Sequence, residues 1–281
     1  MMLGRKIYPL FEPESGGQVN AELERRIQRL EAGDTDDGRA DYKSGKGFRA
    51  RARHKGGGRS EFRGKGRGRS GASRQQDRYR PLGRPEVLKV LQSQDMLPAI
   101  TFIFSRAGCD GALYQCLRSR MVLTSQEEAQ QIKEIVDAGV EGIPEEDLQV
   151  LDFKRWREAL SRGFAAHHAG MLPAFRHIVE DLFVRGLVRA VFATETLALG
   201  INMPARTVVL EKLIKFNGEA HVDLTPGQYT QLTGRAGRRG IDTLGNAVVQ
   251  WAPAMDPRQV AGLASTRTYP LISTFAPGYN M

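Results

Sequence analysis

Apolar positions fall into short continuous runs that alternate with helix-spaced stripes along most of the chain. Leu23, Ile27 and Leu30 share one face of a helix expected over Gln18 to Leu30. Pro85 to Gln94 reads as a second helix, with Pro near its start. Ala99 to Phe104 is a compact apolar run, the signature of a buried strand. Cys109, Ala112, Leu113, Cys116 and Leu117 then recur at helical spacing and predict a helix burying that stripe. Both cysteines lie on it, which favours small core residues over a metal or redox role. Gln126 to Ala138 and Pro144 to Arg162 read as further helices, and Phe164 to His167 as a short strand. The plainest helix runs from Pro173 to Gly186, its stripe being Phe175, Ile178, Val179, Leu182 and Phe183. Val188 to Ala193, Thr207 to Leu210 and Ala247 to Trp251 are strand-like, and Pro226 to Arg235 looks helical. Strands alternating with helices imply an α/β fold with a mainly parallel sheet covered on both faces. Ligands in such sheets bind beyond the carboxyl ends of the strands, so the chemistry is expected there.

One stretch breaks this pattern. Between Glu31 and Pro81 there is no Leu, Ile, Val or Met, too little apolar surface to offset ordering entropy, so disorder is expected there. Gly33 to Arg80 carries 15 Lys+Arg against 6 Asp+Glu. That excess equals the +9 of the whole 281-residue chain, leaving the rest formally neutral. Within it Arg and Gly alternate loosely from Gly56 to Arg69, with Phe48, Phe62 and Tyr79 interspersed. Such a strand can neutralise phosphates and stack on bases as an RNA tether. It reads equally well as a solvated insertion in a surface loop. No apolar run is long enough to span a membrane, and the first residues lack a secretory signal. Two cysteines make no disulfide framework, which points to a reducing, cytoplasmic compartment.

Four constellations carry candidate chemistry. The densest is Gln231-Leu232-Thr233-Gly234-Arg235-Ala236-Gly237-Arg238-Arg239-Gly240. Arg235 and Arg238 are three apart and on a helix would share a face, where two guanidinium forks suit a polyphosphate. Gly234 and Gly237 would let the backbone approach closely. The alternative is a basic helix C-terminus favoured by the dipole. The second runs from Thr194 to Pro204 and puts Thr194 at a strand's carboxyl end, where a hydroxyl and following amides can hold a phosphate. An ordinary helix N-cap is the alternative for that residue. The third is Ser105-Arg106, just past the first buried strand, and the fourth His167-His168-Ala169-Gly170. Adjacent histidines point in different directions and no Cys or carboxylate completes a ligand set, so no metal site is expected.

These four pieces, in this order, resemble the conserved blocks of the second RecA-like motor domain of superfamily-two helicases. The closest likeness is to superkiller-type DExH-box RNA helicases, particularly their HelY-type branch. Lys215-Phe216-Asn217-Gly218 and Thr225 to Thr230 add to it. Family members often have Asp in place of Asn217 and Glu in place of Gln228. The resemblance covers about Pro85 to Trp251 and implies a RecA-like, P-loop NTPase-type fold. It implies that Arg235 and Arg238 are arginine fingers for ATP, supported by Gln231, and that Gly200, Asn202, Gly234 and Gly237 lie by the nucleotide. Ser105, Arg106, His168, Thr194 and Thr196 would face single-stranded RNA or DNA. ATP and Mg²⁺ would be shared with a first RecA-like domain, in a helicase acting as a monomer.

This chain has no G-x-x-x-x-G-K-[ST] loop, and its Gly45-Lys46 and Gly64-Lys65 pairs are each followed by Gly. The expected organisation is the tail of a first motor domain and a connecting helix over 1–30 and the basic segment over 31–81. The second RecA-like domain follows over 82–255, then the start of a winged-helix-type domain over 256–281. The chain thus reads as the middle of a longer helicase. The expected function is ATP-dependent RNA unwinding in processing or turnover. A DNA repair helicase and a non-catalytic RNA-binding module are the alternatives.

Overall fold

The computed structural model describes residues 1–13, 17–32, 81–198 and 203–266. Its centre is a five-stranded sheet of β3 (Ala99–Phe102), β4 (Phe164–His167), β5 (Ala190–Ala193), β6 (Thr207–Leu210) and β9 (Asn246–Val249). Their spatial order is β4-β5-β3-β6-β9, and every neighbouring pair is parallel. β3 to β6 are buried along their whole length, which is why they read as unbroken apolar runs. Successive residues still choose opposite faces. Ile100, Phe102, Val191, Ala193, Val208 and Leu210 enter one core, and Ala99, Ala190, Phe192 and Val209 the other.

The first core is closed by α1 (Ala21–Ala32), α4 (Gln126–Gly139), α7 (Pro173–Val184), α8 (Pro226–Thr233) and α9 (Pro257–Ser265). The second is closed by α2 (Arg84–Ser93) and α3 (Arg106–Arg118), with Cys109 and Cys116 fully buried on the expected stripe. Burial pushes both thiols up to about 12, so neither is a reactive thiolate.

The helix expected over Pro144 to Arg162 is two helices, α5 (Glu145–Val150) and α6 (Phe153–Ser161). Asp152 takes the left-handed conformation between them, a break that a short polar side chain tolerates and an apolar count does not register. Near the N-terminus, β1 (Met2–Leu3) and β2 (Lys6–Ile7) form a small hairpin. It extends the sheet beyond β9, because Met2 bridges Gln250 in parallel and its carbonyl accepts from Trp251 N at 3.0 Å. A second hairpin, β7 (Ile214–Phe216) with β8 (His221–Asp223), stands out after β6. The basic segment Gly33 to Arg80 lies outside the described residues, as does 267–281. Among the described residues no helix is long and apolar enough to cross a membrane.

Candidate functional site

Because β4, β5 and β3 are neighbours, the residues that follow them form one ledge along the carboxyl edge of the sheet. Ser105 caps α3 there, its Oγ accepting from Gly108 N at 3.2 Å. Gly108 is dictated by space, since a Cβ would lie 2.7 Å from Ile103 Cγ2. Arg106 opens the helix and is exposed. The α3 N-terminus therefore offers this edge free amides, a partial positive charge and a guanidinium.

His168 follows β4 and is almost buried. Its Nδ1 accepts from Gly170 N at 3.2 Å and its Nε2 meets Asp110 Oδ1 at 3.0 Å. The network assigns the proton to Nε2, so both nitrogens are spent inside the protein. His168 thus braces the ledge against α3. His167 turns to the opposite face, where Nε2 meets Glu180 Oε1 of α7 at 2.8 Å. Burial lowers its pKa despite that carboxylate. Thr194 follows β5, and its Oγ1 lies 2.9 Å from that of the exposed Thr196. Between them Glu195 is gripped by Lys215 of β7 at 2.7 and 3.0 Å, tying this turn to the hairpin. Beside Ser105, the hairpin and α9 enclose a groove of about 1230 Å³, lined among others by Phe104, Lys215, Phe216, Met255 and Leu263.

The arginine block is arranged differently from the expectation. α8 begins with a capping box between Thr225 and Gln228 and ends at Thr233, so Arg235 and Arg238 lie beyond it and share no helical face. The backbone finds better partners than a further helical turn. Ala205 N donates to Arg235 O at 2.9 Å and Gly237 N to Ala205 O at 2.7 Å, a strand-like bridge. Gly237 sits at φ +92°, a region that favours glycine. Gly245 packs so tightly on the loop that a Cβ would lie 2.5 Å from the Ala236 carbonyl carbon and oxygen. Gly234 caps α8, and a Cβ there would meet Thr230 O at 2.9 Å.

Ala205 immediately precedes Arg206 and β6, so this loop lies at the amino edge of the sheet. The expectation that all the chemistry gathers at the carboxyl edge therefore fails for the arginines. What joins the two edges is the crossover from Thr194 to Arg206. Arg235 reaches it directly, Nη2 donating to Ala198 O. Gly200 and Asn202 belong to this crossover but lie outside the described residues. Gln231 is exposed on α8, ahead of the loop.

Arg238 is held by Asp242. Its Nε and Nη2 each donate to that carboxylate at 2.8 Å, and its backbone N at 3.0 Å. Arg206 Nε donates to the same carboxylate at 2.9 Å, and its Nη1 reaches Asp95 O and Oδ2, each at 2.6 Å. The Asp242 side chain is 1 % exposed, and the hydrogen bond from Arg238 holds it far below the usual carboxylate range. Sequence reasoning missed this residue, although an acid within four positions of Arg238 was there to be read.

Residues 145–240 match the helicase conserved C-terminal domain. The whole chain is 56 % identical to the probable helicase HelY of Mycobacterium tuberculosis and spans 29 % of that relative's length. Over 68 % of the chain it is 42 % identical to the DExH-box ATP-dependent RNA helicase DExH15, chloroplastic, of Arabidopsis thaliana, covering 16 % of it. Over 59 % it is 36 % identical to the antiviral helicase SKI2 of Saccharomyces cerevisiae, covering 13 %. The chain belongs to the superfamily-two DExH-box helicases of the HelY and superkiller-like group, and what it carries of them is the helicase C-terminal domain.

Proposed function

We propose that the chain serves as the second motor domain of an ATP-dependent helicase acting on single-stranded RNA. The observation that carries this reading is the crossover from Thr194 to Arg206, which leaves the carboxyl-edge ledge and ends paired with the arginine loop at the amino edge. A motor needs such a connection between the surface that grips the strand and the groups that sense the nucleotide. The Ser105 cap, the Arg106 guanidinium, the α3 amides and the Thr194 and Thr196 hydroxyls bind backbone phosphates, with His168 fixing the ledge. The chain outside Gly33 to Arg80 is formally neutral, so grip comes from these placed groups rather than from diffuse charge.

Arg235 and Arg238 stabilise charge developing on the transferred phosphoryl group, an effect typically worth about 10³ to 10⁵ in rate. Gln231, Gly234 and Gly237 support them. ATP with Mg²⁺ supplies the bond that is cleaved. Among the described residues no group of three His, Cys, Asp or Glu could hold a metal ion. The residues here fit the γ-phosphate end, and the metal and phosphate tail fall to a first RecA-like domain.

The test uses a polypeptide that joins this chain to a first motor domain. Single-stranded RNA should stimulate its ATP hydrolysis, and more strongly than DNA of the same sequence. Arg235→Ala or Arg238→Ala should abolish turnover and leave RNA binding largely intact. Equal loss of binding and turnover would make these arginines RNA ligands and overturn the assignment.

A further inference from the structure

We propose that Asp242 and Arg206 are positioning residues that hold Arg238 edge-on, with its Nη1 presented for phosphate. This rests on the finger reading of Arg238. Asp242 engages Nε and Nη2, the two nitrogens along one edge of the guanidinium. Nη1 takes no part in that fork, and the Arg238 side chain keeps 22 % of its surface exposed. A planar fork gripped along one edge is fixed in orientation as well as place. The backbone N of Arg238 donates to the same carboxylate, so main chain and side chain are clamped together.

The carboxylate is itself held. Arg206 donates from Nε to Asp242 Oδ1, while Nη1 hooks the carbonyl and carboxylate of Asp95 in the turn between α2 and β3. The chain of contacts runs from that turn through Arg206 and Asp242 to Arg238, across segments far apart in sequence. Arg206 also gives Asp242 a second counter-ion. When Arg238 shares its charge with a phosphate, the covered carboxylate is still paired. An arginine tied down this way needs no search for its conformation when nucleotide arrives, which is how a preorganised group lowers a barrier.

The experiment compares Asp242→Asn, Arg206→Gln, Arg206→Lys and Arg238→Gln in the polypeptide that joins this chain to a first motor domain. Asp242→Asn should lower kcat for ATP about 10- to 100-fold and change KM less than about 3-fold. Arg206→Gln should lower kcat about 10-fold, with partial recovery in Arg206→Lys, which restores the charge without the two-sided fork. In the 281-residue chain, the Arg238 Nε–H resonance should be protected from exchange, lose that protection in Asp242→Asn, and keep part of it in Arg206→Lys. If Arg238→Gln loses turnover while Asp242→Asn and Arg206→Gln keep wild-type kcat, the relay is wrong and the finger reading stands. If Arg238→Gln keeps turnover, the finger reading falls, and the resonance data alone decide whether Asp242 pins the side chain. An unprotected Arg238 Nε–H in the wild-type chain would overturn the relay even if a variant failed to fold.

Discussion

Gly245→Ala isolates the fit of the arginine loop from the rest of the core. The added methyl would meet the carbonyl carbon and oxygen of Ala236 at 2.5 Å and the amide nitrogen of Gly237 at 2.6 Å. These are backbone atoms, so no side chain can rotate away. Relief requires moving the loop off Gly245 or moving the entry to β9. Overpacking of this kind costs about 1–3 kcal/mol. For a domain of about 150–250 residues, 1 kcal/mol shifts the melting temperature by about 2–4 °C, which gives an expected drop of roughly 2–12 °C. Gly262→Ala is the matched control: it lies in α9, where a Cβ meets nothing within 4 Å. There the reduced freedom of the unfolded chain should stabilise by about 0.4–1 kcal/mol. Calorimetric or circular-dichroism melts of both variants provide the assay. A Gly245→Ala chain that melts with the wild type, while Gly262→Ala melts higher, would refute the close approach and with it the account of how the loop is placed.

Other outcomes follow from buried titratable groups. Cys109 and Cys116, pushed up to about 12 by burial, should resist a thiolate-selective reagent at pH 8 and react fully in denaturant; rapid modification of the native chain would contradict their place in the core. Asp242 has a folded pKa below its unfolded one, so its stabilisation is complete above about pH 5 and fades as pH falls toward the folded value. The stability gap between wild type and Asp242→Asn should therefore be wide at pH 7 and narrow on acidification, and a gap independent of pH would show that the carboxylate is not paired. His167 acts in the same direction at milder pH: burial disfavours its charged form, so stability is full above about pH 6.5 and declines below it. Urea melts of wild type and His167→Gln across pH 5–8 should converge toward the acid end, and parallel curves would count against it.

Strand and helix positions were legible because buried elements leave simple patterns. Ala99, Thr207 and Phe164 each begin a strand where the apolar run begins. The β7–β8 hairpin was missed because it is short and largely exposed, so no apolar run marks it. Its turn carried the readable signal, Asn217-Gly218, with Gly218 at φ +109° and Asn217 Oδ1 accepting from Glu219 N and Ala220 N. α9 had its own mark in Asp256-Pro257, the Asp capping the helix by accepting from Arg258 N at 2.8 Å. The ledge residues could be placed from the strands they follow. The arginine loop could not, because its position depends on Ala205, some thirty residues upstream, and no local pattern encodes that bridge.

Arg235 touches the crossover at Ala198 and at Ala205. Its side chain donates to Ala198 O, and its own carbonyl accepts from Ala205 N. One residue therefore links the turn after β5 to the entry of β6, once through its side chain and once through its backbone. A guanidinium-to-carbonyl bond of this kind contributes about 1.5–3 kcal/mol to the hold on Ala198. A guanidinium drawn away toward an anion would give up its bond to Ala198 O and leave the backbone pairing with Ala205 in place, so the turn after β5 would feel the anion while the entry to β6 would not.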